Sequence, residues 1–207
     1  IAVSNYNCTD TVEKYVNVWE LPVTSFVADT LQGCEPLTVS FTSTAVSVNG
    51  AVIDWNWDFG NGLTGVTSTA TTTFQAGTYD VSLISTSSLG CRDTFTALDM
   101  ITAWSLPVPD FKYSPRPVSI FQPIVNFTDL TDDAVAWLWD FGDDFITDVQ
   151  NPEHVFNATG IYPVQLQVIS SLGCINSITK NVEVVEEYTL YFPNAFTPNG
   201  DGNNDSF

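Results

Sequence analysis

Basic residues are scarce in this sequence of 207 residues, where five Lys and Arg stand against 24 Asp and Glu, a formal net charge of −19. Such a chain repels phosphate backbones and anionic lipid surfaces, so we do not expect nucleic acid as a partner. The same acidity suits divalent cations and a salt-containing extracellular medium. High acidity alone is more commonly just a solvated surface.

Histidine is nearly absent, and long apolar runs are missing. His154 is the only histidine, so the chain cannot build a zinc site or a general-base dyad from histidines. No run approaches the roughly 20 apolar residues of a membrane helix, and we expect no membrane insertion. The four cysteines include no Cys-x-x-Cys pair, and no nucleophile–base pair or phosphate loop emerges. The sequence therefore predicts a protein that is not an enzyme.

The sequence does contain an internal repeat. A Trp-Asp-Phe-Gly block at 57–60 recurs at 139–142, and 139 − 57 = 82. Cysteines recur at Cys8, Cys91 and Cys174, with 91 − 8 = 83 and 174 − 91 = 83. Arrays of one small unit more often serve as spacers, stalks or binding surfaces than as catalytic centres.

Apolar residues alternate along short segments of each repeat, which predicts an all-β fold of antiparallel sandwiches. The alternation predicts that two rows lie in the core: Ile53, Trp55, Trp57 and Phe59 in one repeat, and Val135, Trp137, Trp139 and Phe141 in the other. We interpret the repeated block as a structural core motif in which each aspartate bonds nearby backbone at a glycine turn. Its members are Trp57, Asp58, Phe59, Gly60, Trp139, Asp140, Phe141 and Gly142.

Three motifs occur in the same order as in a known family. Trp57–Gly62, the aromatic-x-x-Gly-x-Tyr corner at 74–79, and Asn151–Phe156 resemble the PKD (polycystic kidney disease) domain. The resemblance implies tandem immunoglobulin-like β-sandwiches, common in bacterial surface and secreted proteins, and a loop-packing role for His154. We divide the chain into a remnant of an upstream repeat at 1–21, sandwiches at 22–105 and 106–187, and a further domain that begins at 188–207.

The tail resembles the start of the gliding-motility-associated C-terminal domain, the type B sorting signal of the Bacteroidota type IX secretion system. The resemblance implies export across the outer membrane to an extracellular, cell-surface location, with the type IX translocon and its outer-membrane components as partners. It also implies the start of another β-sandwich. The residues that carry the resemblance are Phe192, Pro193, Asn194, Phe196, Pro198, Asn199, Gly200, Asp201 and Gly202.

Cysteines of an exported protein favour disulfides. We predict that Cys34 bonds Cys91 inside the first complete repeat, closing a loop of about 58 residues worth on the order of 4 kcal/mol. Cys8 then pairs upstream of this sequence, and Cys174 has no partner. A Cys8–Cys34 bond is the alternative.

Oxygen-bearing side chains alternate in the tail at Asn199, Asp201, Asn203 and Asp205, with glycines between them. This density resembles a calcium loop, so calcium is the one cofactor we consider; an Asn/Gly-rich hairpin without metal fits equally well. Asp143, Asp144 and Asp148 form a second, weaker acidic cluster.

Two functions compete on these observations. The first is a non-catalytic stalk and export signal of a large surface adhesin that serves gliding motility or adhesion. The second is an accessory region, a spacer or a carbohydrate-binding module, of a secreted polysaccharide-degrading enzyme. The second would require exposed, coplanar aromatic side chains that bind surface polysaccharide, whereas most aromatic residues here alternate into the predicted cores.

Overall fold

The structure is a computed structural model that describes residues 2–3, 5–6 and 8–186. All of its regular elements are β-strands, which confirms the all-β fold class. The chain divides into two compact units between Leu106 and Pro107. The described part contains no helix that is long and apolar enough to cross a membrane.

The first unit contains ten strands. They are β1 (Ala2–Val3), β2 (Thr9–Asp10), β3 (Phe26–Ala28), β4 (Gln32–Cys34), β5 (Leu37–Ser43), β6 (Val52–Asp58), β7 (Thr64–Gly65), β8 (Thr69–Phe74), β9 (Gly77–Ser87) and β10 (Arg92–Trp104). Strands β3-β5-β8 form one sheet of a sandwich and β4-β10-β9-β6-β7 form the other. All of these neighbours are antiparallel except β4 and β10, which pair in parallel with Trp104 opposite Cys34.

The second unit repeats this plan with eight strands. They are β11 (Phe111–Ser114), β12 (Val118–Ser119), β13 (Ile124–Asp129), β14 (Ala134–Asp140), β15 (Ile146–Thr147), β16 (Glu153–Val155), β17 (Gly160–Ser170) and β18 (Ile175–Val185). The sheets are β11-β13-β16 and β12-β18-β17-β14-β15. Strand β12 pairs in parallel with β18. The predicted antiparallel sandwich thus has one parallel edge in each unit, because the first segment of each sandwich crosses from one sheet to the other.

Each sandwich encloses its own core. Trp57 and Trp139 are completely buried, and each stacks on the phenylalanine two residues later, at ring angles of 13° and 5°. The first core comprises Phe26, Val39, Phe41, Trp57, Phe59, Phe74, Val81, Leu83, Ile101 and Ala103. The second comprises Phe111, Val118, Val125, Phe127, Trp139, Phe141, Phe156, Val164, Leu166, Val168, Val182 and Val184.

The predicted core rows are wrong at their first members. Ile53 is 59% exposed and Val135 is 58% exposed. Each lies at an irregularity of strand pairing, between Val52 and Asp54 in β6 and between Ala134 and Ala136 in β14. A β-bulge adds one residue to a strand and so reverses the side-chain alternation on one side of it. Both side chains therefore point to solvent.

The short hairpin at the start of the chain has the register of a repeat. Ala2 pairs with Asp10 and Val3 with Thr9. In β9 and β10 the equivalent pairs are Ser85 with Asp93 and Thr86 with Arg92, and each partner is displaced by 83 residues. The hairpin β1–β2 thus has the pairing of the last hairpin of a sandwich.

Candidate functional site

The repeated block ends in the same turn in both units. Asp58 accepts a hydrogen bond from the amide of Gly60 at 2.9 Å, and Asp140 accepts one from Gly142 at 2.9 Å. Both glycines have positive φ, 73° and 75°. A side chain that bonds the backbone two residues on is typical of an Asx turn. Both aspartates are exposed and support the turn rather than a ligand.

A polar pair ties the loop after this turn to the neighbouring sheet. In the first unit the amide nitrogen of Asn61 donates to Oγ1 of Thr72 at 3.1 Å. In the second unit the equivalent residues are Asp143 and His154, with Nε2 of the imidazole 2.7 Å from a carboxylate oxygen. The same tie is therefore made by neutral groups in one unit and by ionisable groups in the other.

His154 is packed among aromatic rings. Its ring is parallel to that of Phe141 at a centroid distance of 4.1 Å and meets the edge of Phe156 at 4.6 Å. The residue is only 8% exposed. Asp143 and His154 both line an open cleft of about 440 Å³. The cleft is also lined by Asp144, Phe145, Glu153 and Asn157.

Asp143, Asp144 and Asp148, the weaker acidic cluster of the sequence, are not grouped as metal ligands in the described structure. Asp143 is engaged by His154, and Asp144 has a φ of 69° in the tight turn that follows Gly142. Residues 2–3, 5–6 and 8–186 include no group of three or more His, Cys, Asp or Glu that could hold a metal ion. The second acidic cluster therefore gains no support from the described residues, because His154 engages the carboxylate of Asp143.

The predicted Cys34–Cys91 disulfide is also wrong. Cys91 is a free thiol, whereas Cys34 and Cys174 are disulfide-bonded. Cys34 lies beside Trp104, at the far end of β10 from Cys91, and that strand has 13 residues. A strand of this length extends on the order of 40 Å, whereas a disulfide needs Cα atoms about 4.4 to 6.8 Å apart. The prediction that Cys174 has no partner is wrong as well.

Two hydrogen bonds fix the segment that precedes the first strand of each sandwich, and the residues that make them were not identified from the sequence. The amide of Thr24 donates to Oδ2 of Asp93 at 2.9 Å. At the equivalent position, Asn176 donates to the carbonyl of Pro107 at 2.8 Å. The spacing of 176 − 93 = 83 was the signal that could have revealed them.

Two carboxylates that brace strand ends have lowered pKa values. The amide of Thr24 holds the pKa of Asp93 below its usual value, against an opposing effect of burial. The hydrogen bond from the Lys180 ammonium lowers the pKa of Asp110, aided by the Phe111 amide. Lys180 also donates to the carbonyl of Phe111, so it joins β18 to β11 across the sandwich. Both carboxylates thus act as structural acceptors.

The predicted sorting residues and the predicted calcium ligands of the tail, which begin at Phe192, lie outside the described residues. Of the predicted site residues that the structure describes, the members of each core motif lie together within their own unit. The tryptophans and phenylalanines of the motifs are buried, and the aspartates and glycines form the turns.

Each unit has two sheets that enclose an aromatic core, and one edge of each unit is paired in parallel. These features define an immunoglobulin-like β-sandwich module. The family model described as PKD domain matches residues 19–103 and 107–185. The chain therefore belongs to the PKD domain family and contains two such domains in tandem.

Two curated proteins are similar in sequence to parts of this chain. "Collagenase ColA" of Clostridium perfringens is 38% identical over 66 residues, which cover 32% of this chain and 6% of that protein. "Pre-pro-metalloprotease PrtV" of Vibrio cholerae is 26% identical over 155 residues, 72% of this chain and 16% of that protein. The chain thus spans less than a fifth of the length of either relative.

A solved structure, the PKD1 domain of Vibrio anguillarum Epp, is 26% identical, with a TM-score of 0.37. The alignment covers 42% of this chain and 99% of that domain.

Proposed function

We propose that this chain is a non-catalytic stalk and export-signal region of a large cell-surface adhesin. PKD domains occur in secreted proteins, and the two curated relatives support this setting. The presence of disulfide-bonded cysteines agrees with an oxidising extracellular setting. The adhesin would be carried by the type IX secretion system and serve gliding motility or adhesion.

One observation carries the proposal of a passive repeat. The residues that recur between the two units fill the two cores or form turns, as Trp57 and Trp139 do in the cores and Asp58 and Asp140 do in the turns. The residues of the cleft do not recur in kind, because Asn61 and Thr72 replace Asp143 and His154. A repeat whose shared residues serve the fold is typical of spacers.

An accessory region of a secreted enzyme is the second candidate, because both curated relatives are named as proteases. The carbohydrate-binding form of this candidate has less support. Phe95 is the one exposed aromatic on the long strands of the described part, and its ring packs against Phe26. The other exposed aromatics lie in loops or in the segment before the first sandwich: Tyr6, Tyr15, Trp19, Phe121 and Phe145.

The export proposal is tested by two deletions in the bacterium that makes the protein. Deletion from Tyr188 onward should leave the protein inside the cell, because it removes the sorting motif around Phe196 and Asn199. A matched deletion of residues 107–186 should leave surface display intact, because it removes only a repeat. Surface display of the first variant at the level of the second would overturn the proposal.

We extend the proposal to calcium in the tail, with Asn199, Asp201, Asn203 and Asp205 as ligands, on the ground that oxygen ligands alternate with glycine there. Calcium titration should change the tail and leave the sandwiches unaltered. Calorimetry on the whole chain should therefore show heat of binding that disappears after deletion from Tyr188 onward. Equal heats from both chains would contradict this assignment.

A further inference from the structure

The cleft beside His154 carries charge of one sign. Its lining includes the carboxylates of Asp143, Asp144 and Glu153 and, among the described residues, no lysine or arginine. His154 engages one oxygen of the Asp143 carboxylate, whereas the other oxygen, Oδ1, is buried and accepts no hydrogen bond from the described residues. The cleft therefore has negative charge that no basic side chain of its lining neutralises.

An aromatic ring stands beside these carboxylates. Phe145 is 52% exposed, and its ring packs on that of His154 at a centroid distance of 5.2 Å. The imidazole is itself stacked on the buried ring of Phe141, so the exposed ring rests on a fixed aromatic layer. The face of such a ring attracts a cation, and nearby carboxylates strengthen the attraction.

The second sandwich holds one of its own cations in this way. The ammonium of Lys180 lies 4.9 Å from the centre of the Phe111 ring. It also donates to the carboxylate of Asp110 and to the backbone carbonyl of Phe111. A ring, a carboxylate and a backbone acceptor together bind that ammonium. The cleft offers the first two of these groups to a cation of another molecule.

The edge of a sheet beside the cleft offers backbone groups as well. Strand β16 is the last strand of the sheet β11-β13-β16. The carbonyl of Pro152 and the amide of Phe156 bond the chain at or next to β13. Because alternate residues of an antiparallel strand direct their backbone groups to opposite sides, those of Glu153 and Val155 face away from β13. An extended peptide can pair with such an edge.

We propose that the edge of β16 binds an extended basic segment of a partner protein and that the cleft receives an arginine or lysine side chain of that segment. The segment pairs with the backbone of Glu153 and Val155, and its cation lies over the ring of Phe145 beside the carboxylate of Asp144. The net charge of −19 favours a basic partner. This interaction needs no residue of the tail and is independent of the export signal.

The first sandwich lacks this combination of groups. Gly62 and Leu63 stand in place of the acidic and aromatic residues of the loop. The side chain of Asn61 donates to the carbonyl of Thr73 on β8 at 3.1 Å and so covers part of the equivalent edge. The proposed site therefore consists of residues that do not recur, and the first sandwich is its internal control.

The test is a titration of the full chain with a fluorescein-labelled peptide of sequence Thr-Val-Arg-Val-Thr in about 0.15 M salt. A matched peptide contains citrulline, which keeps the shape of arginine and removes its charge. The arginine peptide should bind about tenfold more tightly. Changes in the amide NMR spectrum should fall at residues 143–145 and 153–157, and not at 61–63 and 71–75. Equal affinity for the two peptides, or no binding of either, would overturn the proposal.

Two double variants separate the site from the overall charge of the chain. D144N/E153Q should lower the affinity for the arginine peptide about tenfold. Asparagine tolerates the φ of 69° at Asp144, so this variant keeps its turn. The matched D54N/E183Q changes the net charge equally at exposed carboxylates on β6 and β18, and it should bind as the parent does. An equal loss in both variants would show that only net charge attracts the peptide and would overturn the proposal.

A single change tests the aromatic part of the site. F145L introduces the residue type that the first sandwich has at Leu63. It should lower the affinity for the arginine peptide about threefold, because leucine has no ring to face the cation. Near-UV circular dichroism verifies that each variant is folded. A folded F145L or D144N/E153Q that binds the peptide as tightly as the parent would contradict the proposal.

Discussion

At the scale of single residues, the glycine that ends each repeated block is required for two physical reasons. Gly60 has a φ of 73°, and a Cβ built on it would lie 2.5 Å from the carbonyl oxygen of Asp80. Gly62 has a similar φ of 83°, but a Cβ there would meet nothing within 4 Å. The two positions therefore separate backbone strain from a steric clash.

We predict that G60A destabilises the first sandwich more than G62A does. Each alanine incurs the cost of a left-handed conformation, about 1 to 2 kcal/mol. G60A adds a clash with backbone that cannot move freely, which raises its cost by at least about 1 kcal/mol. Urea unfolding of both variants measures the difference. Equal losses in the two variants would show that the contact with Asp80 is irrelevant.

The two units also differ in how they satisfy a tryptophan indole. Trp137 donates to Oδ2 of Asp129 at 2.7 Å, whereas the indole nitrogen of Trp55 is buried without a partner. Ser43 of the first unit is equivalent to Asp129 of the second, because Ser43 pairs with Phe26 as Asp129 pairs with Phe111. Each of the two residues accepts a bond from the amide two residues later, at 3.2 and 2.9 Å.

We therefore predict that S43D stabilises the first sandwich by about 1 kcal/mol, because it supplies the missing acceptor to Trp55. The reciprocal change D129S should destabilise the second sandwich by about 1 kcal/mol, because it leaves the partly buried indole donor of Trp137 unpaired. Thermal unfolding of both variants provides the measurement. A stabilising D129S, or a destabilising S43D, would refute the correspondence.

At the scale of elements, the strand patterns were largely readable from the sequence. Alternation at Trp57 and Trp139 identified buried positions, because a strand exposes and buries alternate side chains. It failed at Ile53 and Val135, because a bulge depends on pairing with a neighbouring strand that the local pattern does not specify.

The disulfide was not predictable for a related reason. Cys34 and Cys91 belong to one repeat, but the parallel pairing of β4 with the end of β10 places them at opposite ends of a long strand. Sequence spacing does not reveal which end of β10 the short strand β4 meets. The cleft at His154 was equally hidden, since it depends on the loop that follows Gly142 reaching β16.

The hydrogen-bonded carboxylate of Asp93 predicts how the stability of the first sandwich depends on pH. The folded-state pKa of Asp93 is lowered, so its contribution is complete above its ordinary pKa of 3.8 and is lost as the pH falls through the lowered value. We expect D93N to be less stable than the parent near pH 7 and to lose less stability below about pH 4. Urea unfolding between pH 7 and pH 2 tests this. If D93N lost as much unfolding free energy as the parent below about pH 4, the result would contradict this prediction.

At the scale of the whole molecule, each sandwich contains its own core, and the recurring residues serve those cores and turns. The PKD family assignment accounts for this organisation. The destination of the protein depends, in our proposal, on the segment that follows the second sandwich.

The most direct test of the account compares surface display of the whole protein after point changes in its two kinds of motif. The double change F196A/N199A in the proposed sorting motif should abolish display and leave both sandwiches folded. The matched change D58N/D140N in the turns of the repeats should leave display intact at a small cost in stability. Surface labelling of intact cells, with total protein as the reference, measures both. Normal display of F196A/N199A, or its loss in a folded D58N/D140N, would contradict the claim that the repeats are passive and the tail directs export.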